Sequence, residues 1–156
     1  MMLKPKSLRE ALINHVPSLA QNPDSLRMLM PSGQVISTLA PSLSFEYHYQ
    51  LTVNITDYAD DIDLITVPIL AWLHENQPDM MTSAERRRTG FIFKTERLSD
   101  TLCHISIELQ LTERVIVRQE GDALHVDHLD EPPLPENVDR PKQLYVNGVL
   151  VSELSA

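Results

Sequence analysis

The sequence predicts an α+β fold: a curved antiparallel sheet with one very long strand, packed by an N-terminal helix and a buried central helix. Three observations carry that expectation. The stretch FEYHYQLTVNIT, residues 45–56, alternates apolar and polar side chains without an error. The stretch IDLITVPILAWL, residues 62–73, is rich in apolar side chains at helical spacing. Shorter alternating runs and one Asn-Gly turn follow it, and these favour antiparallel pairing.

The elements follow in chain order. SLREALINHV opens with a capping box, in which Ser7 caps a helix and Glu10 reaches back to it. Leu8, Ala11, Leu12 and His15 keep helical spacing, and Pro17 ends the helix. Residues 26–30 and 34–39 flank Pro31-Ser32-Gly33, which reads as a turn between two strands. The strand 45–56 follows. Its twelve residues extend on the order of 40 Å, and burying the six odd-numbered side chains contributes on the order of 10 kcal/mol before entropy is subtracted. Its even-numbered side chains, Glu46, His48, Gln50, Thr52 and Asn54, form a polar face.

Asp60 or Asp61 then caps the central helix, in which Ile62, Ile65, Ile69 and Trp72 share a face and Leu64, Val67, Leu70 and Leu73 fill much of the rest. Such a helix is buried on several sides. Pro68 either kinks it or sits in the first turn of a helix capped by Thr66. Residues 79–90 read as a polar loop that carries Arg86, Arg87 and Arg88. Strands at 91–96 and 102–112, a hairpin at 115–129 turning at Glu120-Gly121-Asp122, a Pro-rich connector at 130–141 and a terminal hairpin at 144–151 complete the chain. At 156 residues this is one domain, 1–156.

Composition narrows the function. A formal charge of −9 disfavours nucleic-acid binding through released counterions. A single cysteine, Cys103, allows no internal disulfide or zinc cluster and favours the cytosol. The longest apolar-rich run is too short to span a bilayer, and the N-terminus does not read as a secretion signal.

No catalytic centre emerges. His125 and His128, with Asp127 and Asp130, are residue types of a metal site, but on a strand the two histidines face opposite ways. Asp60, Asp61 and Asp63 suit a helix N-terminus without any acid–base task. Cys103 and His104 likewise point to opposite faces and are not a nucleophile–base pair. With no phosphate-binding glycine motif and no nucleophile elbow, neither a cofactor nor an enzymatic activity is expected. The triple arginine is the one dense cationic feature; it is either a solvated loop or a loop that docks on an acidic partner or another copy of the chain.

The pieces SLSFEY, the TD-A-DID turn and VPILAWL-ENQP, within residues 3–78, resemble the tail completion protein R family of contractile-tailed temperate bacteriophages and their related prophages. The resemblance implies structural work at the head-proximal end of the tail: stopping or stabilising tube growth and preparing the tail to join a filled head. It brings no catalytic residues. The element order is also similar to that of tail terminators, which form rings, usually hexameric, that cap the tube. The implied partners are other copies of the chain, the tail tube protein, and the sheath and head-closing proteins, with assembly in the host bacterial cytoplasm and a final place in the virion tail. On that reading the polar face of 45–56 lies at the lumen or at a subunit seam, and DNA at most passes through. A neck or connector adaptor, a small ligand-binding domain or enzyme, and a module recognising a host protein are the alternatives.

Overall fold

The computed structural model describes residues 2–37, 42–129 and 143–153. Its centre is a pair of long antiparallel strands, β2 (Phe45–Tyr58) and β4 (Cys103–Glu120), preceded at one edge by β1 (Leu26–Ile36). β3 (Phe91–Arg97) and β5 (Ala123–Leu129) complete a five-stranded curled sheet. β2 lies along one side of β4 from Cys103 to Val115. The other side is shared: β3 pairs with residues 103–109 and β5 with residues 114–120.

The helices α1 (Leu3–His15), α2 (Pro17–Gln21) and α3 (Asp63–Asn76) supply the second layer. Alternation along β2 and β4 sends Tyr49, Leu51, Val53 and Ile55, with Ile105, Ile107, Leu109 and Leu111, into one core. Leu8, Leu12 and Leu19 meet them from the N-terminal helices, and Ile65, Ile69, Trp72 and Leu73 from α3. The Trp72 indole N–H donates to Ser7 Oγ at 2.9 Å, which ties α3 to α1. The α+β architecture expected from the sequence is therefore present, with one enlargement. The longest strand is β4, whose 18 residues run straight through Thr112–Val115, where the sequence suggested a break between a strand and a hairpin.

Several local expectations are overturned. α1 begins at Leu3, so Ser7 lies inside the helix, and no side chain of its own caps it. Pro31-Ser32-Gly33 is not a turn. β1 continues through it against β2, and a register shift between Leu29 and Ser32 absorbs one extra residue. Gly33 suits this close pairing, because a Cβ there would stand 3.0 Å from Tyr49 Cβ. Neither Asp60 nor Asp61 caps α3; its N-cap is Ile62, and Pro68 lies inside the helix, so the Leu64 carbonyl receives no N–H from position 68. Leu70 on α3 is exposed, so this helix is covered on fewer sides than its composition suggests.

Residues 79–90 are not a loop. Ser83 caps a short helix, α4 (Ala84–Thr89), accepting from Arg86 N–H at 3.1 Å. The terminal hairpin forms as expected: β6 (Gln143–Val146) and β7 (Val149–Glu153) turn at Asn147 and Gly148, both with positive φ. The connector 130–141 lies outside the described residues.

Leu109 is fully buried where β4, β2 and β3 meet. Replacing it with Ala is expected to cost about 2–5 kcal/mol, read as a lower urea midpoint at unchanged slope.

Candidate functional site

The polar face of β2 is continuous with its neighbours. Cross-strand rows run Arg27–Asn54–Ser106, Leu29–Thr52–Glu108, Ser32–Gln50–Gln110, Gln34–His48–Thr112 and Ile36–Glu46–Arg114. The middle of this face is mostly amide and hydroxyl. Glu46 Oε2 lies 2.9 Å from His48 Nε2 and Lys94 3.5 Å from Glu108, with Arg27 and Arg114 in the outermost rows. A hollow of about 440 Å³ lies over Ser32, Gln34, His48, Gln50 and Gln110. The five side chains named from the sequence, Glu46, His48, Gln50, Thr52 and Asn54, are thus brought together on one surface. They are half-buried rather than fully wet, because β2 is flanked on both sides.

The three arginines sit on α4, and their surroundings differ. The Arg86 guanidinium donates to the Asp79 carbonyl at 3.1 Å and to its carboxylate at 2.9 Å, so it braces the chain before α4. Arg87 and Arg88 are exposed. Arg86 thus has a bracing role within the chain, and Arg87 and Arg88 lie beside it on the exposed surface of α4.

Beneath these surfaces lies a buried polar tie that the sequence reading passed over. Glu113 is only 1% exposed, yet it occupies the apolar register of β4 between Leu111 and Val115. Its Oε1 accepts the backbone N–H of Leu3 at 2.6 Å, and its Oε2 accepts the Tyr49 hydroxyl at 3.0 Å. It thus caps a helix whose first turn carries no acid of its own. His128 Nδ1 stands 3.5 Å from the same Oε1, too far for a normal hydrogen bond.

Next to it, Gln77 Oε1 accepts from Lys4 Nζ at 2.7 Å and from Thr112 N–H at 3.0 Å. Its Nε2 donates to Thr112 Oγ1 and Asp79 Oδ1. Lys4 Nζ also donates to the Thr112 carbonyl. Gln77 thereby fills the stretch of β4 left between β3 and β5, as a strand's peptide group would. The signal for Glu113 was present in the sequence: one acid at an otherwise apolar odd position. Lys4 and Gln77 carried no comparable mark.

Among the described residues no group of three or more histidine, cysteine, aspartate or glutamate side chains could hold a metal. His125 and His128 do face opposite ways, opposite Arg118 and Val115 respectively. Cys103 packs against the core while His104 lies on the other face. Asp60, Asp61 and Asp63 cluster near Tyr58, whose hydroxyl donates to the Asp61 carbonyl at 2.7 Å.

Burial first, then the charge and hydrogen bond of Glu113, push the Tyr49 phenol well above its ordinary range. Burial and the neighbouring aspartates do the same to Tyr58. A group whose folded pKa lies above its unfolded value stabilises fully below the unfolded value and loses that contribution as pH rises past it. The urea midpoint is therefore expected to fall above about pH 10, more shallowly in Tyr49→Phe than in the parent chain. Equal slopes in the two proteins would remove Tyr49 as a source of the effect.

The fold is that of an α+β protein: a curled antiparallel sheet, backed by helices on its core side, that presents a broad polar face on the other. The P2 phage tail completion protein R (GpR) family model matches residues 2–132, and the chain belongs to that family. It is 53% identical over 152 residues to the tail completion protein R of Escherichia phage P2, covering 97% of this chain and 98% of that protein. No solved structure matches.

Proposed function

We propose that this chain completes phage tails at their head-proximal end, where it stops or stabilises growth of the tail tube and readies the tail to join a filled head. The observation that carries this reading is the 53% identity, over nearly the whole of both chains, to a protein named for tail completion. The chain acts as a single domain and as a ring of copies, hexameric by analogy with tail terminators, closed by head-to-tail contacts around one axis. Its partners are the tail tube protein and then the sheath and head-closing proteins. Assembly takes place in the host cytoplasm and the product resides in the virion tail. No catalytic role is assigned.

The polar face of Glu46, His48, Gln50, Thr52 and Asn54 faces the lumen or a subunit seam. A lumen role is supported by its largely uncharged middle, where amides and hydroxyls offer a passing duplex few cations to adhere to. Arg87 and Arg88, held out by α4, dock on an acidic neighbour.

The mass of the purified chain by light scattering, alone and with polymerising tail tube protein, tests the reading. A ring-sized species, or tubes made shorter and capped, is expected. A monomer at every concentration that leaves tube length unchanged would favour an adaptor that bridges head and tail without ending the tube. Arg87→Ala with Arg88→Ala, which leaves the Arg86 brace intact, is expected to lower the yield of head-joined tails while preserving the thermal midpoint. Normal joining by this double variant and by the triple variant including Arg86→Ala would end the docking role of α4.

A further inference from the structure

Beyond Val115, which pairs with the first residue of β2, β4 continues to Glu120 paired with β5 alone. From there the two strands form a two-stranded arm, held at its base by Ser44 Oγ, which accepts the Val117 N–H at 3.0 Å. One face of the arm carries three apolar side chains beside Gln119: Val117 pairs with Val126 and Gln119 with Leu124, and Leu124 and Val126 are 57% and 58% exposed. A two-stranded ribbon with such a face is marginal in water on its own. The arm also carries Glu120, Asp122 and Asp127; Asp127 is bound to Arg118 at 2.7 Å and Glu120 Oε2 lies 3.4 Å from His125 Nε2, and both acids at the tip, Glu120 and Asp122, are exposed.

The opposite edge of the sheet offers the complement. Between the start of α1 and β1 lies an apolar groove of about 410 Å³, lined by Pro5, Met28, Leu29 and Met30 among others, with Leu29 and Met30 56% and 49% exposed. The charged side chains lining it are both cations, Lys6 and Arg9. β1 and β5 lie on opposite sides of the β2–β4 pair, so arm and groove face different neighbours. A contact between them is heterologous, the kind that closes rings.

We propose that the arm tip of one copy seats in the α1–β1 groove of the next, with Leu124 and Val126 on the methionine-lined floor and Glu120 and Asp122 beside Lys6 and Arg9. This rests on the multi-copy assembly proposed above and names its contact.

The test uses two full-length proteins, both with Cys103→Ala, one carrying Leu124→Cys and the other Met30→Cys. They are mixed with tail tube protein and treated with a short bismaleimide. The expected product is a dimer joining position 124 to position 30, with Leu70→Cys in place of Met30→Cys giving none. Adding Val126→Asp to the arm partner should cut the yield at least about tenfold, the loss that roughly 1.4 kcal/mol of contact energy represents. Val126 lies on the exposed ribbon, so this change leaves the core intact. Ring-sized assemblies by light scattering without the 124–30 product would overturn the arm-in-groove contact while leaving the ring standing. No assembly and no product would overturn both.

Discussion

A buried carboxylate holds this molecule's layers in place. Glu113 reaches from the longest strand to the first peptide N–H of α1 and to the phenol of the central strand, so that helix start, β2 and β4 are registered by one side chain. Burying an acid is costly unless its oxygens are satisfied, and here each oxygen accepts a hydrogen bond from an element that must be folded for the donor to arrive. The neighbouring Lys4–Gln77–Thr112 set does the same for the end of α3. Hydrophobic burial makes the core stable, and this tie specifies where the helices sit upon it.

Legibility in the sequence followed the range of the interactions. The β2 alternation was readable because it reports a purely local fact, that one side of a strand faces the core. The Asn147-Gly148 turn was readable because two successive positive-φ residues are a backbone demand those side chains meet. The start of α1 was misplaced because its cap comes from Glu113, 110 residues away, while the local candidate, Ser7, is engaged by Trp72. Pro31-Ser32-Gly33 was misread because turn residues also serve bulges, and only pairing with β2 distinguishes the two. α4 was hidden by its shortness and polarity, although Ser83 stood at its N-cap.

The surfaces were legible in composition but not in role. Three consecutive arginines look equivalent in a sequence; in the fold Arg86 is distinguished by its brace on Asp79. The polar face of β2 was identified in full, but its continuity with β1 and β4 comes from cross-strand register that a single chain segment does not encode. The middle of that face, on a curled sheet, is an array of amides and hydroxyls rather than of charges. Such a surface is consistent with a family whose work is structural.

The interrupted pairing of β1 bears on what the open edge of the sheet can pair with. An eleven-residue edge strand with exposed leucine, methionine, valine and isoleucine is a template for uncontrolled sheet growth. Pro31 withdraws one N–H from that edge, and the bulge beside it throws the two halves out of step, so an incoming straight strand can match only one half at a time. Proline and bulge together thus make an exposed apolar edge a poor template for backbone pairing, so that what β1 offers a neighbour is its side chains rather than its peptide groups.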